Sequence, residues 1–247
     1  MEPRKLVELN SERSGLPYFA ACYPRRTGSD ARAYIVGAVL VISLSISAYA
    51  ADVHTLASAV DHHYNHLRSL ECEFTETYSG LGMDRTESGT LWLKKPGKMR
   101  WQYRSPSEKL FVSDGKDAWF YVPGEQQVRK TEVKQLDDLR SPLAFLLGKT
   151  KLEKELQGLS LAPDALPLSP GNVVLRGVPR SMADRINQVL LEITPENTIS
   201  RILIDSADGS TTEYRLSGQK EDVPVADSLF QFRIPPGVEV VEGSFGQ

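Results

Sequence analysis

The sequence predicts a mainly β fold with helices, of the α+β class, in which one antiparallel sheet of about eleven strands curls into a barrel or half-barrel. Two observations support this prediction. An amphipathic helical segment is followed by a long series of segments with a period of two, and turn residues separate these segments every eight to twelve residues, roughly. A sheet of that size curls on itself, and its inner face then needs a covering. The apolar stripes of the helices can supply this covering.

The first fifty residues predict a polar leader followed by a cleavable signal peptide. Arginines precede an apolar run over residues 35–46, and small residues at Ala48 and Ala50 end it, which is the three-part layout of a secretory signal. The run is short for a membrane span. We therefore expect export, cleavage after Ala50 and a single mature domain over residues 51–247. An uncleaved membrane anchor is the alternative.

Charge and cysteine content narrow the function of the mature chain. Residues 1–50 hold six of the 29 basic and four of the 32 acidic residues, so residues 51–247 carry 23 basic and 28 acidic side chains. A net charge of about −5 is unfavourable for nucleic-acid binding. Cys72 is the cysteine that remains after cleavage, so the mature chain can form no internal disulfide.

The first mature element is an amphipathic helix, because apolar residues recur at helical spacing from Val53 to Leu70. His62 and His66 are four residues apart, a spacing that can hold a metal ion. They fall on the face opposite the apolar stripe, and neither a cysteine nor a glutamate stands at ligand spacing on that face. We therefore expect a solvated polar face and no metal site.

Strand-like segments follow from Glu71 to the C-terminus. A short helical piece over residues 136–148 and a proline-rich loop over residues 159–171 interrupt the series. The predicted strands cover residues 71–80, 85–95, 98–104, 108–114, 117–123, 125–133, 172–178, 185–194, 198–206, 210–218 and 229–237.

The chain lacks the common catalytic motifs. It contains no GxSxG, HExxH, P-loop or CxxC sequence, and no histidine follows His66. We therefore expect a binding protein without a cofactor and not an enzyme.

The segment LWLKKPGKMRW, residues 91–101, sets basic residues among apolar ones. Strand alternation puts Leu91, Leu93, Met99 and Trp101 on one face and Arg100 on the other. The same alternation carries Lys95 onto the apolar face. Its ammonium group either reaches water from the end of the strand or donates to the unpaired carbonyls at the C-terminus of a covering helix.

The order of sequence blocks resembles the periplasmic outer-membrane lipoprotein carrier family, LolA. The blocks are FTET, SGTLWLKKPGKMRW, LFVSDGKDAWFYVPGEQQV and SPLAFLLG, and the similarity extends from about Val53 to about Val240. The resemblance implies an open, incomplete antiparallel β-barrel with an α-helical lid. It also implies a periplasmic monomer that binds the acyl chains of lipoproteins in an apolar cavity.

The resemblance further implies that this protein has two partners besides the acylated lipoproteins. An inner-membrane ABC-type lipoprotein-releasing complex supplies the cargo, and an outer-membrane lipoprotein acceptor receives it. The alternative is a related barrel that senses lipids or lipoproteins, or that carries another lipid.

The resemblance also assigns site residues. A lid-latching arginine of the family corresponds to Lys95, so this chain offers a lysine there, and Arg100 can share the latch role. Glu76 replaces the usual glutamine. The resemblance implies that Tyr78, Trp101, Phe111, Leu146 and Ile202 line or edge the cavity. Strand alternation adds Leu91, Leu93 and Met99, which share the apolar face with Trp101.

Overall fold

A computed structural model describes residues 52–133 and 151–243 of the chain. Helix α1 is Val53–His66, and the short helix α2 is Leu152–Glu155. The strands are β1 Ser69–Gly80, β2 Met83–Lys94, β3 Lys98–Ser105, β4 Lys109–Asp114, β5 Asp117–Tyr121, β6 Gln127–Glu132, β7 Leu156–Leu161, β8 Val173–Pro179, β9 Ile186–Ile193, β10 Ile199–Ser206, β11 Thr211–Glu221 and β12 Glu239–Glu242.

All the described strands join one sheet in the order β12-β6-β5-β4-β3-β2-β1-β11-β10-β9-β8-β7. Neighbours pair antiparallel, except that β12 runs parallel to β6. Two consecutive meanders therefore join where β1 pairs with β11, and β12 and β7 form the two edges. The predicted mainly β fold with an open antiparallel sheet and helices is confirmed.

The strand register collects apolar side chains on one face of the sheet, which we call the inner face. Leu91 on β2 lies opposite Cys72 on β1 and Trp101 on β3. Phe74 lies opposite Leu216 on β11. All five side chains are buried in the hydrophobic core, as expected when alternate residues of each strand face one side.

Helix α1 packs its apolar stripe against this core. Asp52 caps its N-terminus by accepting a hydrogen bond from the backbone N–H of His54 (3.2 Å). Ala57, Val60 and Tyr64 are at most 1% exposed. The helix ends at His66, which is four residues before the predicted end, because β1 begins at Ser69.

The C-terminal part of the chain differs from the prediction. Residues 229–237 were expected to form a strand, but the structure has a 3-10 helix over Asp227–Phe230 and no strand until Glu239. Phe230 is fully buried, and the Phe232 ring stacks on Trp119 at a centroid distance of 6.2 Å. These ring contacts hold the segment against the sheet, and the prolines at 235 and 236 have no backbone N–H to donate to a strand ladder.

The sequence pattern did not predict two of the strands, β7 and β12. Strand β7 occupies residues 156–161, and the expected loop at 159–171 therefore begins after Leu161. Gly158 in β7 has φ +66°, and the pairing with β8 shifts register between Gln157 and Ser160, so the alternation is broken. Strand β12 has four residues, all exposed, and thus no apolar period.

The helical piece predicted over residues 136–148 and the leader and signal peptide lie outside the described residues. Within residues 52–133 and 151–243, no helix combines the length and the apolar content needed to cross a membrane.

Candidate functional site

The inner face is the candidate site, and it contains most of the residues expected to line a cavity. Leu91, Leu93, Met99, Trp101, Phe111 and Ile202 are all buried, from fully buried to 9% exposed, and belong to the same core. Phe111 lies opposite Trp101 in the ladder between β3 and β4. The structure therefore brings these six residues together as one apolar wall. Their role in ligand binding stays a prediction.

One of the expected cavity residues stands apart from this wall. Tyr78 lies on the inner face near the end of β1, is only half-buried, and has Arg85 over its ring at 5.8 Å from the centroid. Leu146 lies outside the described residues.

Lys95 lies where strand alternation puts it, at the inner-face end of β2. Its ammonium group donates hydrogen bonds to the backbone carbonyls of Tyr64 and Asn65, the latter at 3.0 Å. Both carbonyls belong to the last turn of α1, where helix geometry leaves them without intrahelical donors. A cation at this position is also favoured by the helix dipole. Lys95 therefore ties the C-terminus of α1 to the sheet.

A second contact fixes the same end of α1. The Tyr64 hydroxyl accepts a hydrogen bond from the backbone N–H of Ile199 on β10, at 2.8 Å in a buried setting. Burial raises the pKa of Tyr64 well above its ordinary range, so the hydroxyl stays neutral. A cleft of about 10 Å³, enough for about one water molecule, opens between the chain after α1 and Lys95, and Leu70 and Leu93 are among its lining residues.

Arg100 takes different partners. Its guanidinium donates to the carbonyl of Leu229 in the 3-10 helix (3.1 Å) and to the side-chain oxygen of Gln102 (3.3 Å). It therefore lies on the outer face with the C-terminal segment, and the structure does not bring it to the carbonyls that Lys95 contacts.

The structure also shows inner-face residues that the sequence reasoning did not assign. At the end of the sheet away from Lys95, a charged group, which we call the ionic cluster, consists of Glu76, Arg85, Glu87, Tyr103 and Lys109. Glu87 is only 3% exposed and Glu76 8%. Arg85 Nε lies 3.2 Å from Glu87 Oε2, and Lys109 pairs with the other oxygen of Glu87.

The remaining contacts connect Glu76 to this cluster. The Tyr103 hydroxyl donates to Glu76 Oε2 at 2.8 Å, and Arg85 Nη2 lies 4.0 Å from Glu76 Oε1. Burial raises the pKa of the Glu76 carboxyl, against the lowering effect of the Tyr103 hydrogen bond, while neighbouring Glu87 adds to the rise. Burial also raises the pKa of Tyr103 far above its usual value. The tyrosine is therefore a hydrogen-bond donor at any physiological pH.

Trp101 adds an unusual polar atom to the inner face. Its indole N–H is buried and has no hydrogen-bond partner among the described residues. The ring packs edge-on against Phe74 at 4.7 Å and against Tyr214 at 5.8 Å. Because the indole N–H can only donate, an acceptor is the group that would satisfy it.

A sequence signal for the ionic cluster did exist. Glu76 and Glu87 fall on the same alternation as Phe74 and Leu91, so the pattern already put two carboxylates on the inner face. What the sequence lacked was the register that sets Glu76 directly opposite Glu87 and Tyr103 opposite Lys109.

In the described ranges, no group of three or more His, Cys, Asp or Glu side chains could hold a metal ion. The rings of His62 and His66 lie 4.1 Å apart, and His66 Nδ1 is 2.7 Å from the His62 carbonyl oxygen.

Together, the open sheet, the apolar wall and the helix tied across it define a class: β proteins whose sheet and helix enclose an apolar interior. The family model described as "Outer membrane lipoprotein carrier protein LolA" matches residues 65–233, more than half of the chain. The chain belongs to this family.

Several relatives agree with this assignment, and each is named an outer-membrane lipoprotein carrier protein. The relative from Alkalilimnicola ehrlichii is 30% identical over 218 residues, which cover 87% of this chain and 97% of the relative. The relative from Bordetella bronchiseptica is 37% identical over 156 residues, 63% of this chain and 70% of its own length. The relative from Nitrosospira multiformis is 28% identical over 179 residues, 70% and 82% of the two chains.

Proposed function

We propose that this protein carries lipoproteins by binding their acyl chains against the apolar wall of the inner face. The observation that carries the proposal is the wall itself: buried apolar residues from β2, β3, β4 and β10 form one surface, and a helix tied by Lys95 covers part of it. Relatives named outer-membrane lipoprotein carrier proteins support the carrier role.

The energetics of acyl-chain transfer fit a carrier. Each buried methylene contributes about 0.8 kcal/mol, so a sixteen-carbon chain gains on the order of 10 kcal/mol on leaving water. Lipoproteins with several such chains cannot cross an aqueous space unaided. A soluble protein with an apolar interior removes this barrier.

Release of the cargo requires a free-energy cost that opposes binding. Displacement of helix α1 from the core provides this cost. Ala57, Val60 and Tyr64 of α1 occupy the same core as the wall, so a ligand that enters there must displace them or share the space. Loss of the helix contacts offsets part of the acyl gain, and the binding equilibrium then depends on how firmly α1 is held. In this scheme Lys95 is the latch that sets the cost of opening.

The lysine is a chemically different latch from the arginine of the family pattern. Its ammonium is a point charge with three donors, whereas arginine presents a planar fork of five. The two carbonyls of Tyr64 and Asn65 need only two donors. Lysine therefore suffices for the observed contacts. We assign no latch role to Arg100, because its contacts lie with the C-terminal segment.

The proposed route follows the family pattern. A periplasmic monomer, exported by its signal peptide and cleaved after Ala50, takes lipoproteins from an inner-membrane ABC-type releasing complex. It delivers them to an outer-membrane acceptor. No chemical step is part of this function, and no cofactor is needed.

Native ligand analysis tests the proposal. The protein is purified from the periplasm without detergent, and its bound molecules are identified by native and denaturing mass spectrometry. Triacylated lipoprotein in the bound fraction is expected. Recovery of only a phospholipid or glycolipid would instead support the alternative of a sensor or a carrier of another lipid. N-terminal sequencing of the same sample checks cleavage after Ala50.

A further inference from the structure

The ionic cluster lies on the surface that the proposed cargo would contact. Phe74 belongs to the apolar core, and Glu76 is two residues further along the same face of β1. On β2, Glu87 stands eight residues before Lys95, a separation of about 26 Å at a strand rise of ~3.3 Å per residue. The inner face is thus apolar near the latch and charged at the far end.

The hydrocarbon part of an acyl chain can form neither hydrogen bonds nor ion pairs with the ionic cluster. A buried ion pair is often no more stabilising than a well-packed apolar pair of the same volume, because both charges lose their hydration. Glu87 is 3% exposed and pairs with both Arg85 and Lys109. A wall that served hydrocarbon alone would lose little stability if leucine and methionine replaced these residues.

The ionic cluster contains many N–H donors, which suits a ligand that carries hydrogen-bond acceptors. Lysine and arginine bring three and five N–H groups. Arg85 pairs with Glu76 and Glu87, whereas Lys109 pairs with Glu87 and its ammonium also lies 5.7 Å from the centroid of the Tyr103 ring. Each cation has more N–H groups than these contacts use, so both can donate to an acceptor that a ligand brings. The side chain of Arg85 is 46% exposed, so the cluster reaches from the core to water.

The indole N–H of Trp101 is the independent observation. Trp101 belongs to the apolar wall and lies two residues from Tyr103 on the same face of β3. Its indole N–H is buried without a partner in the part of the chain that the structure describes. An unsatisfied buried donor is costly. A ligand that brings an acceptor to this depth would remove the cost.

We propose that the ionic cluster and the Trp101 indole form a subsite for the carbonyl-bearing end of an acylated ligand, whose ester or amide oxygens accept hydrogen bonds from Lys109, Arg85 and Trp101. This inference rests on the proposed function and specifies how the same face orients its cargo. The hydrocarbon tails lie along the apolar wall towards Lys95, and the glyceryl or cysteinyl end lies at the charged end of the sheet.

A charge-balanced double variant tests the subsite. Glu87→Leu combined with Lys109→Met removes one negative and one positive charge together. Arg85 then keeps Glu76 at 4.0 Å, and its side chain is 46% exposed to water, so it is not left as a buried unpaired charge. Thermal unfolding checks that the fold is retained. The matched control is Asp117→Leu with Lys130→Met, which removes an outer-face pair of β5 and β6 (3.2 Å).

Two probes separate polar recognition from apolar binding. The neutral dye N-phenyl-1-naphthylamine reports on the apolar wall by fluorescence, and a synthetic tripalmitoylated cysteine lipopeptide is titrated by displacement of the dye. Hydrogen bonds to charged groups predict that the cluster variant binds the lipopeptide about tenfold or more weakly. Its affinity for the dye should be equal or tighter, and the control variant should bind both probes like the wild type.

The outcomes separate the two proposals. A wild type that binds the dye but not the lipopeptide overturns both the carrier function and the subsite. A wild type and a cluster variant that bind the lipopeptide equally overturn the subsite alone, as does an equal loss for lipopeptide and dye. A parallel titration with dipalmitoylphosphatidylglycerol identifies the oxygens: loss for both lipids indicates glyceryl esters, and loss for the lipopeptide alone indicates the N-acyl amide.

Discussion

Replacement of Lys95 by methionine should loosen helix α1 without unfolding the sheet. Methionine keeps an aliphatic side chain of similar length and removes the ammonium group. The carbonyls of Tyr64 and Asn65, in the last turn of α1, then lose their charged donor. The Tyr64 hydroxyl contact to Ile199 remains.

The size of the effect follows from these contacts. A hydrogen bond to a charged group contributes about 1.5–3 kcal/mol, and a cation at a helix C-terminus about 0.3–1 kcal/mol. Lys95 is half-buried, so water replaces part of the loss. We take about 1.5–2 kcal/mol for the cost, which raises the population with α1 released by about ten- to thirtyfold.

Hydrogen exchange measures this population directly. The amides of residues 53–66 should exchange about ten- to thirtyfold faster in Lys95→Met than in the wild type. Under the proposed function, a weaker latch also lowers the cost of opening. The variant should therefore bind the tripalmitoylated lipopeptide more tightly and pass it on more slowly.

Lys94→Met is the matched control. Its ammonium binds the Val225 carbonyl (2.6 Å) and Asp227 (2.7 Å) in the C-terminal segment, away from α1. It should leave exchange over residues 53–66 unchanged. Equal exchange in Lys95→Met and the wild type, or equal acceleration in both lysine variants, would refute the latch reasoning.

Three further predictions concern buried and paired groups. Tyr64→Phe leaves the buried N–H of Ile199 without its acceptor and should lower the free energy of unfolding by about 1–3 kcal/mol, measured by urea denaturation; an unchanged midpoint would contradict this. Burial raises the pKa of the Cys72 thiol to about 12, so iodoacetamide at pH 8 should label Cys72 only after denaturation, as peptide mapping can show. The hydrogen bond to Glu153 raises the pKa of His54. Its stabilising contribution should be complete below the unfolded-state pKa and lost as pH rises through the folded-state pKa, and NMR titration of His54 should show a lower pKa in Glu153→Gln.

Local patterns predicted the helix and most of the sheet because their signals are periodic. The apolar stripe of α1 and the alternation through β1–β6 need no knowledge of distant residues. The same alternation put Lys95 on the apolar face. The alternation did not identify the groups that the Lys95 ammonium contacts, because the carbonyls of Tyr64 and Asn65 lie about thirty residues earlier in the chain and meet Lys95 only after folding.

Tertiary contacts explain the failures. The segment from Leu229 has the apolar alternation of a strand, yet Phe230 and Phe232 are held by burial and ring stacking and not by a neighbouring strand. Strand β12 forms because β6 offers it an edge, and its own residues carry no strand pattern. The ionic cluster was missed because charged residues on a strand are ordinarily assigned to solvent.

The pairing of β1 with β11 has a consequence for folding. Phe74 lies opposite Leu216, so the two strands that join the meanders are separated by more than a hundred residues of chain. Each meander can form from local hairpins, but joining them closes a very long loop, and contacts of such high order form slowly. Until that step, both β1 and β11 expose a hydrogen-bonding edge. We therefore expect the pairing of β1 with β11 to form later than the hairpins within each meander.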